Sequence, residues 1–520
     1  MNIIVVGGGT AGWIAALMIG KNHPAHTVTV VASSQIGVLG AGEGVTGELM
    51  DLVVGQYGDL GIVPEEFFRE TAAMPKYGIL HKDWTAKKGH EYFGPIDGTM
   101  TGLHLPDSVA AFLCANHPDK MHLGSFYGNL YEKNISPINR ITQQVEISTY
   151  GFHMDARLTA KYLEKTALKA ENISLIDKKI LDVNLHENGN VSSLLLEDGQ
   201  VISGDFFIDA SGFSRVIMNK LGTKWISYKK HLPVNAAIPF FENYESNETP
   251  KPYSVAWAQS SGWYWEAGVQ TRKGCGYVYC DDFITADQAH EEIEKTLGKK
   301  VTPLTHFKFD TGRLENTWVK NCLAIGLCAA FAEPLEATSI HSTIKQLSAL
   351  TFEYLKNTAE DTVNPAAMMF YNKRMNTMFD DFKDFLVSHY LGERKDSEFW
   401  KHVSSGAIET EFAANLRDMC KTKMPTKFDF ASYPGSANWL IWCYILVGTG
   451  QLTSEVAAKH LTPELANDAV RRLDRLTMFA ESTQLTHYNL DEYFAIVKSQ
   501  TPKFLPRRGV EWHLSDIHNN

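Results

Sequence analysis

Glycines at positions 7, 9 and 12 are the first residues whose type and spacing suit chemistry, and that chemistry is the binding of a phosphorylated cofactor. They follow an apolar run, Ile3-Ile4-Val5-Val6, and precede an Ala- and Leu-rich stretch from Trp13 to Gly20. At such a strand–turn–helix, the first glycine makes the tight turn and the second lets backbone approach a pyrophosphate. The third packs helix on strand, and the diphosphate meets the unpaired N–H groups of the helix start. Gly7, Gly9 and Gly12, with Thr10 and Ala11 between them, are therefore candidate cofactor-binding residues. An acid for the ribose hydroxyls is expected about 20 positions later, at the end of the second strand. The chain reads Val31-Ala32-Ser33-Ser34 there, so Ser33 offers only a weaker hydrogen bond and the adenosine half is expected to be held loosely.

Other chemistries lack their patterns. The 19 histidines include no HExxH pair, and His290-Glu291-Glu292 has no second histidine one turn on, so no metal site is expected and His81 and His341 read as structural. No GxSxG elbow or Walker loop is present. The seven cysteines form no CxxC pair and read as buried thiols of a reducing compartment. A net charge of −11 repels a phosphate backbone, which argues against nucleic acid as a partner. The N-terminus has no basic n-region, and the longest apolar stretch, Trp439 to Val447, is too short to cross a bilayer. A cytoplasmic protein with no membrane partner is expected.

The elements that must position these residues follow a βαβ theme. Residues 3–6 and 28–31 read as strands around a helix, which predicts a doubly wound, Rossmann-like α/β fold. Leu158 to Lys169 reads as a helix, and Phe206 to Ile208 and Cys322 to Ile325 as further strands. The cofactor domain is thus expected over residues 1–350, assembled from separated segments, with substrate-facing inserts near 80–150 and 225–305. Residues 351–520 are expected to form a mainly helical region covering the substrate site. In that region Thr462 and Pro463 suit an N-cap and first helical position.

Ile208-Asp209-Ala210-Ser211-Gly212 resembles a second flavoprotein signature, which makes Asp209 a candidate cofactor residue and favours FAD over a nicotinamide. Three longer stretches resemble flavin-dependent halogenases of the tryptophan-halogenase type, and the likeness runs from residue 1 to roughly residue 402. Leu39-Gly40-Ala41-Gly42-Glu43-Gly44-Val45-Thr46 resembles the flavin strap. Ala324-Ile325-Gly326-Leu327 and Glu333-Pro334-Leu335-Glu336-Ala337-Thr338-Ser339-Ile340-His341 resemble the E-P-L-E-S-T segment. Asp384-Phe385, His389-Tyr390, Arg394 and Phe399-Trp400 match a later helical signature.

The resemblance implies a flavoprotein-monooxygenase-like fold. It also implies an enzyme that uses reduced FAD, O2 and halide to make hypohalous acid and to halogenate an electron-rich aromatic molecule. A separate flavin reductase supplies the FADH2, since no second nucleotide fingerprint appears; self-association into a homo-oligomer is left open. Ala41, Gly42, Glu43, Gly326 and Ile340 are implied flavin contacts, and Thr338 and Ser339 the halide-binding step. Lys76, in Met74-Pro75-Lys76-Tyr77-Gly78-Ile79, matches the catalytic lysine, and Glu336 the active-site glutamate. Trp263 and Trp265 match the W-x-W-x-I-P element that separates substrate from flavin, although Ile-Pro is replaced by Ala267-Gly268. Tyr92-Phe93-Gly94-Pro95-Ile96 stands where tryptophan-specific members carry a His and Phe clamp, so a wider pocket and varied substrates are expected. The small residues Ala267, Gly268 and Ala337 suggest bromide and iodide over chloride. The competing readings are an aromatic hydroxylase, and a flavin-binding scaffold without activity.

Overall fold

The computed structural model describes residues 1–37, 40, 43–96, 107–147, 150–246, 248–355, 364–430 and 439–504. The run Ile3-Ile4-Val5 is wholly buried, as expected of a strand covered on both faces. Its strand, Asn2–Val6, lies inside a six-stranded sheet whose order is 173–177, 27–32, 2–6, 206–209, 322–324, 318–319. All pairs are parallel except the last. The chain steps outward from Asn2–Val6 in one direction through 27–32 and 173–177, and in the other through 206–209 and 322–324. The order therefore reverses beside the first strand. A ligand crevice forms beyond the carboxyl ends of strands at such a reversal, and here both Gly7 and Asp209 stand at that end.

A second, seven-stranded sheet is built from the two aromatic-rich inserts, in the order 307–308, 236–242, 273–279, 262–268, 253–258, 78–82, 91–95. Opposed residues share a face. His81 opposes both Ala256 and Tyr92, and Ala256 opposes Trp265. By the period of two, Ile79, His81, Tyr92, Gly94, Trp263 and Trp265 therefore line one face. The other face carries Phe240, Tyr264, Cys275 and Tyr277, which form a separate core with Ala289 and Ile293 of the helix Ala286–Leu297. A small sheet of Glu43–Val45, Gly151–Met154 and Met74–Lys76 joins the two layers.

The helical region after residue 364 shares its core with the rest: Trp400 of the helix Glu398–Ser404 meets Trp84 with ring centroids 5.7 Å apart. Thr462 does cap the helix Pro463–Thr486, accepting from the Leu465 N–H at 3.3 Å. The region is not purely helical, because His487–Asn489 pairs with Ile135–Asn139 and Lys503–Phe504 with Gln144–Val145. All seven cysteines are buried thiols. Among the described residues, no helix is long and apolar enough to cross a membrane.

Candidate active site

Steric demand explains the glycine loop. Gly7 takes φ +115°, where a Cβ would also run into the Ala210 carbonyl, and a Cβ on Gly12 would run into the Gly7 carbonyl. At Gly9 a Cβ would meet nothing within 4 Å, so the second glycine borders open space. It is the N-cap of the helix Thr10–Asn22 and offers that helix no side-chain hydrogen bond. Unpaired N–H groups facing open space fit a pyrophosphate. Gly326, at φ +60°, closes on Ala11: a Cβ there would lie 3.1 Å from the Ala11 Cβ.

Asp209 has a different task from the one expected. Its buried carboxylate accepts from the Ser211 N–H and hydroxyl at 3.1 and 2.6 Å, and from the Ile217 and Met218 N–H groups at 2.8 and 3.0 Å. Both oxygens are spent on holding the turn, so a direct cofactor contact is not open to the carboxylate. Ser33 is half-buried, and its Oγ accepts only a 3.4 Å bond from the Gln35 N–H. An acid nevertheless reaches this end of the sheet from the neighbouring strand: Asp177 accepts from the Ser34 N–H at 2.7 Å. Ala41 and Gly42 lie outside the described residues, and Glu43 begins a short strand.

Lys76 ends the strand Met74–Lys76, pairs with Gly151 and is 1% exposed. Its Nζ, the His153 ring and Ser254 Oγ converge on Gly44, each within 3.5 Å of where a Cβ would stand. That glycine leaves room for the amine. His153 Nδ1 lies 3.1 Å from the Gly268 carbonyl and carries the proton, so Nε2 accepts from Ser254 Oγ at 2.8 Å. Burial, with the nearby Lys76 charge, holds the His153 pKa down at about 3, so the lysine has a neutral neighbour. Burial pulls Lys76 itself down to about 8, against the opposing pull of the Glu336 charge.

Glu336 is half-buried and engaged by histidines. Its Oε1 lies 2.9 Å from His389 Nε2 and 4.0 Å from His81 Nε2, and His389 Nδ1 bonds the Phe385 carbonyl at 3.0 Å. His81 stacks flat on Tyr92 at 4.5 Å, and the Trp84 indole stands edge-on to both histidines. Burial pushes the His81 pKa well below its usual value, which keeps the ring neutral. His81 also bears on the expected wider pocket: its Cε1 lies 3.7 Å from where a Cβ on Gly94 would stand, so an imidazole from the next strand borders the space. Sequence reading passed over this grouping, because its members sit on a strand, a turn and a helix far apart in the chain.

Trp263 and Trp265 share the sheet face of His81, with ring centroids 6.4 Å apart. The Trp263 indole and the Tyr390 hydroxyl both lie against Glu333, whose carboxyl accepts from Tyr390 at 3.0 Å. Burial raises the Glu333 pKa to about 8. Thr338 and Ser339 open the helix Thr338–Ser348 after Ala337, a left-handed N-cap at φ +54° that gives no side-chain hydrogen bond. A small pocket lies there, lined by Thr338, Ser339, Ser342, Phe331, Phe379 and Phe382. Ile340 is buried in the same helix. Thr46 Oγ1 stands 3.0 Å from His341 Nδ1, and Lys345 pairs with Glu48 at 2.9 Å, which ties the segment after the strap to this helix.

A family model described as tryptophan halogenase matches residues 2–460. The tryptophan 7-halogenase RebH of Lentzea aerocolonigenes is 30% identical over 419 residues, spanning 77% of this chain and 78% of that protein. Tar14, a tryptophan C-6 flavin-dependent halogenase from taromycin biosynthesis, superposes with a TM-score of 0.84 at 26% identity over 96% of this chain and 99% of its own. A tryptophan halogenase of Shewanella frigidimarina superposes at 0.87 with 22% identity, covering 97% and 99% of the two chains, which speaks for the fold alone. The chain belongs to the tryptophan halogenase family and is a flavin-dependent halogenase.

Proposed function

We propose that this halogenase takes FADH2 from a separate reductase, makes hypohalous acid from O2 and halide, and delivers the halogen through Lys76 to an electron-rich phenol- or indole-type ring. One observation supports the reading: Lys76 is fully buried, with its Nζ beside Gly44 and near His153 and Ser254, and the half-buried Glu336 favours its ammonium form. Bound FAD, held at Gly7, Gly9, Thr10, Ala11, Gly12, Gly326 and Ile340, would supply the oxidation of halide. The first-turn N–H groups at Thr338 and Ser339 face an anion favourably.

Transfer is the work of the chain's own residues. The Lys76 ammonium hydrogen-bonds hypohalous acid and polarises its O–X bond; the free amine instead takes X with loss of water to give a haloamine. Either route places an electrophile in a site from which water is excluded. The ring's electron pair forms the new C–X bond as the O–X or N–X bond breaks. The electrons of the broken bond leave on hydroxide, which takes a proton from the ammonium and departs as water, or on the lysine nitrogen, which regains a proton. The Glu336 carboxylate balances the arenium charge and accepts the ring proton. His389 holds that carboxylate by one oxygen. Trp263 and Trp265 would keep organic substrate from the flavin.

RebH and Tar14 are tryptophan halogenases. In this chain Gly94 and Ile96 replace the clamp, which supports varied aromatic substrates over free tryptophan. Ala267, Gly268 and Ala337 support bromide and iodide over chloride. The test is mass spectrometry of phenols and indoles incubated with enzyme, reductase, FAD and each halide. A halogenated product is expected; an added oxygen alone would make the enzyme a hydroxylase.

A further inference from the structure

Among the described residues, the ligand atoms of His81, Glu336 and His389 form one group, all within 4.8 Å of one another. Glu336 Oε1 lies 2.9 Å from His389 Nε2 and 4.0 Å from His81 Nε2. Ligands of a tetrahedral Zn2+, at about 2.0–2.2 Å from the ion, stand roughly 3.3–3.6 Å apart. Side-chain adjustment of up to about an ångström brings these atoms to such spacing.

Two further observations point to a cation. His389 Nδ1 bonds the Phe385 carbonyl at 3.0 Å, which turns Nε2 toward Glu336; a backbone carbonyl on the second nitrogen is how ligating histidines are oriented. His81 is buried, yet neither of its ring nitrogens makes a hydrogen bond of normal length and angle. The Ile79 carbonyl is its nearby backbone acceptor, and its Nε2 faces the Glu336 carboxylate at 4.0 Å.

We propose that His81, Glu336 and His389 form a three-ligand site for a divalent transition metal, Zn2+ by its two-nitrogen, one-oxygen donor set, with the fourth position open to water. The ion replaces the proton between His389 and Glu336, which is released on binding. Occupancy withdraws the Glu336 carboxylate from the ring proton, so the metal is an inhibitor of halogen transfer. Lys76, whose charge is coupled to the same carboxylate, competes with the ion for it. Binding stands apart from the proposed function; only the inhibition rests on it.

The experiment titrates the purified full-length protein with Co2+, read by the intense visible absorption of tetrahedral Co2+ and by displacement with Zn2+. One equivalent is expected to bind. His81→Phe and His389→Gln each lose tenfold or more in affinity, and the exposed His186→Gln control does not. His81→Gln repeats the test in case phenylalanine disturbs the stack on Tyr92, with circular dichroism and melting to confirm folding. Failure of the wild type to bind one equivalent, or a loss under tenfold in the folded His81 and His389 variants, overturns the site. In turnover assays, saturating Zn2+ is expected to stop halogenated product while flavin oxidation continues. Product that persists under those conditions overturns the inhibitory role alone. A wild type that makes no halogenated product at all refutes the transfer reading and leaves the Co2+ result to be judged by itself.

Discussion

His389 Nε2 lies 2.9 Å from Glu336 Oε1 while its Nδ1 is spent on the Phe385 carbonyl. Two acceptors flank one imidazole, so a proton must lie between Nε2 and Oε1, donated either by an imidazolium to a carboxylate or by a carboxylic acid to a neutral ring. The Glu336 carboxyl is thus held by a buried partner. Glu336→Gln can keep this bond, because an amide N–H donates to the neutral ring, but it removes the negative charge and the base. Product formation is expected to fall about 10²-fold, within the usual worth of one acid–base group. FAD binding should not change, and fluorescence titration checks that.

Lys76→Ala separates halide oxidation from halogen transfer. The amine lies in a different sheet from the one whose strand ends carry the glycine loop. Flavin oxidation in stopped flow should stay near wild type, while product on a substrate that resists free hypohalous acid falls by about 10³-fold or more, since orientation and charge stabilisation vanish together. Wild-type product yield from the variant would remove Lys76 from the mechanism.

The same lysine sets a pH limb. Burial brings its pKa to about 8, so the ammonium prevails below that value and the amine above it. With the ammonium as the working form, the transfer rate is flat up to about pH 8 and then falls about tenfold per pH unit. Single-turnover product formation from about pH 6 to 10 measures the limb, which should vanish in Lys76→Ala. A rate that rises through this range identifies the haloamine route instead.

What is legible in the sequence is what local sterics and motif spacing encode. The glycine loop is legible because Gly7 and Gly12 answer demands made by residues already in view: a positive φ, and a helix packed on its own turn. The alternation in Gly262-Trp263-Tyr264-Trp265 already splits the indoles from Tyr264. Lys76 and Glu336 are legible through motifs, but no motif tells that one is fully and the other half buried. Asp209 misleads because an acid at a strand end looks the same whether it faces a ligand or the N–H groups of Ile217 and Met218. Asp177 and His81 arrive through sheet neighbours, Ala32 and Tyr92, that no sequence interval announces.

Flavin should exchange readily. No acid ends the second strand, Ser33 makes only a weak turn contact, and Asp177 is already engaged by the Ser34 N–H. Protein loaded with FAD and dialysed extensively is expected to lose its yellow colour, and stable retention would show that the adenosine half is held by other groups.

Glu333 offers a test of the buried wall behind the indoles. Its backbone has φ +142°, a region that residues with side chains seldom adopt, and the residue is 1% exposed. Burial is the largest cause lifting its pKa from 4.5 to about 8; the Glu336 charge adds to this, and donation from Tyr390, with the Trp263 indole nearby, opposes it. A carboxyl with a raised folded pKa binds its proton more tightly in the folded protein than in the unfolded one. Stability is therefore fullest below the unfolded value and falls as pH climbs toward about 8, where the loss levels off. A tenfold difference in proton affinity between the two states is worth about 1.4 kcal/mol, so the whole loss is on the order of a few kcal/mol. Glutamine has nearly the same shape and no charge to bury, so Glu333→Gln escapes this loss. The difference in stability between variant and wild type should be small near the unfolded value and should grow in favour of the variant up to about pH 8. Urea unfolding at successive pH values measures it. A difference that stays constant over this range would mean that Glu333 is ionised in the folded protein, and that the Tyr390 hydroxyl, which donates to its oxygens, stabilises a carboxylate there.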